Sequence, residues 1–380
     1  RNQLMQTGVG GYNRNQLASW LQGKELDLTM SPGDYSDDLS GSMDVSQADN
    51  FFGYLNLILS RHNFSPSVFS KYVQRSKYLY ANRATEGMEA AQDSIRKLLF
   101  PPSEANPIEN EAFFDRMQFE VLPAQFFAHF GNAARFTYFI VGDMPEAQAK
   151  NIVTRYLASL KGDPNQTLPA PTAMNFASKE PVIKRRFNVD MQGDMAEIEI
   201  SFANKQRLSD KEQAALEVMR SILETKAFDE IREKEQLSYT TGVSANYTSQ
   251  PETSETLSIH LSTARQNVDK AVAKVYALLE EVSQGKFTAD QFKQAVVPLA
   301  VDEQSPASSE LDTNPSLWMA TLSVYAQTGE TITPEESAAV EPVFSTLTPA
   351  DVMAVAAKLL NNAAKREIVV QAIAHEGKLS

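Results

Sequence analysis

The sequence predicts an α+β protein built from two tandem copies of one unit. Three observations predict it. The chain has 380 residues, too many for one ordinary domain. Helix signals alternate with short strand signals along the whole length. Short motifs also recur in the same order at an almost constant offset.

The helices announce themselves first. Residues 16–22 put Leu17, Trp20 and Leu21 on one face, and residues 46–60 carry Phe51, Phe52, Leu55, Ile58 and Leu59 at helical spacing. Ser65-Pro66 reads as an N-cap followed by a proline in the first turn. Ser209 with Glu212 is a capping box, in which hydroxyl and carboxylate each satisfy a free first-turn amide. That helix carries Ala215, Met219, Ile222 and Leu223. Thr288 with Gln291, and Thr333-Pro334 with Glu336, repeat the chemistry. Thr348-Pro349 opens a last helix with Val352, Val355 and Leu359 inward.

Strands are expected between them. Ile198, Ile200 and Phe202 alternate with Glu197, Glu199 and Ser201, the pattern of a strand with one buried face. The apolar runs Phe136 to Val141 and Ile368 to Ile373 read as central strands. Tyr239 to Tyr247 and Glu255 to Ser262 read as a strand pair joined across Gln250-Pro251. Gly162 to Pro171, with Pro164, Pro169 and Pro171, lacks periodicity and reads as a linker.

The repeat organises these elements. Phe64-Ser-Pro-Ser-Val-Phe69 matches Phe287-Thr-Ala-Asp-Gln-Phe292, offset by 223. Asn132-Ala-Ala-Arg135 matches Asn362-Ala-Ala-Lys365, offset by 230. Leu39-Ser40 matches Leu257-Ser258, offset by 218. The second copy opens with strands near 180–203 and a helix near 209–231, and at an offset of 218 the first-copy equivalents of those strands fall before Arg1. The expected organisation is therefore an amino-terminally truncated copy over 1–163, a linker over 164–178 and a full copy over 179–380.

Composition removes several function classes. There is no cysteine, which excludes disulfides, a thiol nucleophile and cysteine-held metal. The net charge of −13 repels phosphate backbones, so nucleic acid is not an expected partner. No apolar run is long enough to span a membrane. The first residue is Arg1 and no leader pattern precedes the fold, which leaves the compartment open.

Candidate sites follow from what remains. Only His62, His129, His260 and His375 are present, and none has the neighbours of a helical zinc-protease site. Each is read as structural or surface. Asp34, Asp37 and Asp38 lack the pattern of a calcium loop, and a turn is the better reading. Gly8-Val9-Gly10-Gly11 has neither the preceding strand nor the lysine of a phosphate cradle. Leu39-Ser40-Gly41-Ser42 lacks the first glycine of a nucleophile elbow. What is left is Arg232-Glu-Lys-Glu-Gln-Leu-Ser-Tyr239, which closes a long helix and leads into a strand. A guanidinium and a phenol seven residues apart, two helical turns, can both donate to a peptide carbonyl or a developing oxyanion. Taken alone, the same residues also read as a charged helix end followed by an aromatic strand residue.

At these residues the sequence resembles the M16 family of zinc metallopeptidases, the pitrilysin and insulin-degrading enzyme group. Arg232, Lys234, Glu235, Gln236, Leu237 and Tyr239 reproduce its R-x-K-E-Q-L-x-Y context, and Phe139-Ile-Val-Gly-Asp143 is similar to its repeat-terminal strand. The resemblance implies rolls of the LuxS/MPP-like metallohydrolase kind, each a mainly antiparallel sheet packed with helices. It implies that this chain is the zinc-less carboxyl half, similar to bacterial periplasmic members of the pitrilysin and PqqL kind. Zinc, water and a general-base Glu would then lie in an amino-terminal half, on the same polypeptide or a partner subunit. Arg232 and Tyr239 would support the carbonyl of a peptide or small unfolded protein substrate. This chain binds no zinc on that reading and hydrolyses nothing alone. The alternatives are a non-catalytic M16-like partner or scaffold subunit, and an unrelated α+β binding protein.

Overall fold

A computed structural model describes residues 7–33, 36–83, 86–103, 106–166, 178, 180–191, 193–205, 207–248, 254–304, 314–328, 342–361 and 363–373. The chain runs through β1 (Gly8–Val9), β2 (Tyr12–Asn13), α1 (Arg14–Leu21), β3 (Leu26–Pro32), β4 (Asp37–Met43), α2 (Ala48–Arg61) and α3 (Pro66–Arg83). Next come α4 (Gly87–Leu99), α5 (Glu111–Asp115), α6 (Leu122–Phe130) and α7 (Glu146–Ile152). Strands β5 (Val182–Val189) and β6 (Met195–Asn204) lead into α8 (Asp210–Lys226), then β7 (Thr240–Thr248) and β8 (Ser254–Ala264). Helices α9 (Val268–Ser283), α10 (Ala289–Gln304), α11 (Pro315–Thr328) and α12 (Pro349–Asn361) precede β9 (Ala364–Ala372).

Two compact units interleave along the sequence. The first comprises Arg1–Ala81, Ile108–Thr172 and Ser308–Glu335, and the second Asn82–Pro107, Ala173–Ala307 and Glu336–Ser380.

The second unit holds a five-stranded sheet in the order β5-β9-β6-β8-β7. All neighbours are antiparallel except β5 and β9. Strand β6 obeys the alternation read from the sequence as far as Ile200: Ala196, Ile198, Ile200 and Phe202 are buried while Glu197 and Glu199 are exposed, but Ser201, expected on the wet face, is buried as well. Leu257, Ile259 and Leu261 of β8 extend the same face. Onto it pack Met219, Ile222 and Leu223 of α8, Val275 and Leu279 of α9, and Val352, Val355 and Leu359 of α12. Burying each such aliphatic side chain contributes about 1.5–3 kcal/mol. The capping boxes form as expected. Ser209 Oγ accepts from Glu212 N–H while Glu212 accepts from Ser209 N–H, and Thr288 and Gln291 exchange the same pair. The Thr333-Pro334 cap lies outside the described residues, as do Pro169, Pro171 and Gln250-Pro251.

Helix α4 covers the other face of β5 and β9. Met88, Ala91, Ile95, Leu98 and Leu99 fall on one helical stripe and meet Ile183, Val189, Ile368 and Val370.

The first unit centres on α2, whose Phe51, Phe52, Leu55, Ile58 and Leu59 are buried with Phe126 and Phe130 of α6. β3 and β4 form a hairpin, and Gly8 to Tyr12 a small one in which Gly10 takes a positive φ of 56°. Strand β4 leads through a 3₁₀ turn into α2, as β8 leads through one into α9. One expectation fails: no strand forms over residues 136–141. A strand exists only through its ladder partners. The matching stretch of the second unit, β9, lies between β5 and β6. Among the described residues of the first unit no such pair is present, and Phe136 and Ile140 anchor to the helical core alone.

Candidate functional site

The site begins where α8 changes its winding. Residues Ala227–Lys234 continue the helix as a π-helix, and Glu235 N–H donates five residues back to Glu230 O at 3.2 Å. Such π winding inside a helix is rare and is frequent at functional sites. Gln236 then adopts a left-handed conformation, φ 51°. Leu237 N–H reaches back to Ile231 O at 2.9 Å, and its side chain is buried, a widened form of the usual helix stop. Ser238 Oγ donates to Ser262 O at 2.7 Å, and Tyr239 N–H donates to the same carbonyl at 2.9 Å. These bonds hand the chain to β7, the edge strand of the sheet.

Both sequence-derived site residues sit on this reversal and face outward. The Arg232 side chain is 47% exposed and lies over the ring of Phe228, 5.0 Å from its centroid. Its nearest carboxylate is Glu233, at 3.6 Å. Tyr239 is 59% exposed. Because the helix widens and then ends, the seven-residue spacing is not two turns of one helix. The reversal at Gln236, not helical periodicity, sets where the phenol stands relative to the guanidinium.

The sheet face beside them is polar. Glu197 and Glu199 of β6 and His260 of β8 project from it, with Glu199 directly across from His260. Partial burial pushes the Glu197 carboxyl up, against the pull of His260. Gly242 of β7 is opposite His260, whose ring occupies the place a Cβ would take.

Sequence reading missed a ladder of alternating charge behind the π turn. Lys226 Nζ lies 2.8 Å from Glu230 and 3.0 Å from Glu281 of α9. Glu230 lies 2.8 Å from Lys274, Lys274 3.3 Å from Glu235, and Glu235 3.8 Å from Lys270. Desolvation lowers the Lys226 pKa, but hydrogen bonds to Glu230 and Glu281 outweigh it and hold the ammonium above its ordinary value. Glu230 is desolvated too, and Lys226 and Lys274 bring its carboxyl below the ordinary value. The only sequence-level hint was the Lys226/Glu230 pair one turn apart.

Residues 124–297, which include Arg232 and Tyr239, match the family model for the peptidase M16 inactive domain. The resemblance to the M16 peptidases holds. Among solved structures, the ferredoxin protease FusC in complex with Arabidopsis ferredoxin superposes with a TM-score of 0.77 at 17% identity. The periplasmic protease PqqL from Escherichia coli gives 0.78 at 12%. The alignments cover 98% and 97% of this chain but 40% of each of those proteins, so the chain spans about two fifths of their length. An M16 inactive domain from Pseudomonas fluorescens gives 0.67 at 16%, covering 99% of this chain and 88% of that one. At these identities the structural likeness is one of fold. No curated protein matches the sequence.

A zinc site takes several converging His, Asp or Glu donors. His62 stacks on Phe126, with centroids 4.5 Å apart, inside the first unit. His129 Nδ1 is held by the Asp37 carboxylate at 2.8 Å, and Asp38 accepts from Ser36 at 2.9 Å. Asp34 and His375 lie outside the described residues. Among the described residues no three acidic or histidine side chains converge. The described residues do not fit zinc. No described helix is long and apolar enough to cross a membrane.

Proposed function

We propose that this chain is the carboxyl half of an M16-type zinc metalloendopeptidase, which closes a chamber and orients peptide substrate there. Zinc belongs to the amino-terminal half, as a separate chain or on the same polypeptide. The observation that supports this reading is the outward presentation of Arg232 and Tyr239 at one helix-to-strand reversal, within the M16-matching segment. The guanidinium and the phenol donate to the scissile carbonyl oxygen as it gains negative charge. Held in place beforehand, such donors need no reorganisation during the reaction. The substrate class is short or unfolded polypeptide, and the ferredoxin-bound relative supports a polypeptide substrate. A periplasmic location goes with the PqqL likeness.

The test is peptide cleavage by the peptidase assembled from both halves. We expect Arg232→Ala and Tyr239→Phe each to lower kcat by about 10²- to 10³-fold, the usual cost of one oxyanion donor. Unchanged circular dichroism would show that the fold persists. Unchanged cleavage in both variants would remove these residues from the mechanism. It would favour the second reading, a non-catalytic scaffold subunit.

A further inference from the structure

We infer that Lys274, Glu230 and Glu235 are positioning residues, which hold the helix end in its π register and thereby aim Arg232 and Tyr239. The inference rests on the proposed role of that pair. Its basis is the spacing of the ladder. Lys226, the last α-helical residue, and Glu230, four residues further on, face α9. A further α-turn would bring Lys234 to the same face, against Lys270 and Lys274. Like charges at that spacing repel. The π turn inserts one residue, so Glu235 arrives there instead and meets both lysines. Charge order along the chain therefore selects the wide winding over the ordinary one.

The inserted residue has a consequence for the outer face. Every residue after it is rotated relative to an α-helical continuation. Gln236 must then take its left-handed conformation for Leu237 to reach Ile231 O and for Tyr239 to reach Ser262 O. The positions of both donors thus depend on a contact on the opposite side of the helix. Side-chain exposures of 21% for Lys274, 25% for Glu230 and 27% for Glu235 keep the ladder partly shielded from salt. Neither Lys274 nor Glu235 is expected to touch substrate.

The experiment compares Lys274→Met, Lys274→Arg, Glu235→Gln and Tyr239→Phe in the assembled peptidase. We expect Lys274→Met and Glu235→Gln to lower kcat about 10- to 100-fold, since misplacement by an ångström costs that much. KM should stay within twofold and Lys274→Arg should recover most of the rate. In this chain itself, amide exchange at Glu235 and Leu237 should quicken in Lys274→Met while amides of β6 and β8 stay protected. Exchange that quickens throughout the sheet would mark a general loss of stability and overturn the inference. So would full kcat in Lys274→Met and Glu235→Gln while Tyr239→Phe is impaired. Full kcat in Tyr239→Phe would instead remove the underlying role of the site, and the inference with it.

Discussion

Gln236 does with a side chain what helices usually leave to glycine. A left-handed residue with a Cβ costs roughly 1–2 kcal/mol. Its side chain is exposed, so nothing buried offsets that cost. Gln236→Gly should therefore raise stability by about 1 kcal/mol, after allowing for the extra freedom of glycine in the unfolded chain. A urea melt would register this as a higher midpoint with an unchanged slope, and a lower midpoint would refute it. At this scale the sequence was only half legible. The six defined positions from Arg232 to Tyr239 singled out a segment inside the M16 family match because chemistry is carried by residue type. The π register was hidden because it depends on Lys270 and Lys274, a helix and two strands further along the chain.

Among the elements, the capped helices were legible, while the β3–β4 hairpin went unread and one expected strand did not form, for a physical reason. A cap is a local contract: Ser209 and Glu212, or Thr348 and Asp351, satisfy amides within one turn, so four residues suffice to predict it. Phe136 to Val141 has strand composition, but its ladder depends on segments far away. The cap of α12 also predicts a pH effect. The Asp351 pKa is lowered to about 2, first by the hydrogen bond from Lys211 and then by that from Thr348. The unfolded value is near 3.8. The folded pKa lies below the unfolded one, so the stabilisation is complete above about pH 4 and is lost as pH falls towards 2. Asp351→Asn should lower the melting temperature at pH 7, and the gap to wild type should narrow between pH 4 and 2. A gap that stays constant with pH would show that the charge is not the source.

For the whole molecule, the decisive fact is that the compact units do not follow the sequence repeats. Helix α4 lies among first-copy residues, yet its apolar stripe covers Ile183, Val189, Ile368 and Val370 of the second unit. Residues 179–380 expressed alone should therefore expose that patch, bind a hydrophobic dye and self-associate. Adding a peptide of residues 82–107 should suppress both effects, whereas a monomeric, dye-silent fragment would show that α4 is dispensable. The order of strands has a consequence for the birth of the protein. β9 sits between β5 and β6 but is the last of the five to be made, and Gln371 bonds Asn188 across 183 residues. A ribosome adding roughly 5–20 residues per second leaves β5 and β6 waiting many seconds for the strand that joins them. Throughout that interval their facing edges are open to any extended chain nearby. Escort by a chaperone during translation is thus most valuable between the emergence of β6 and that of β9.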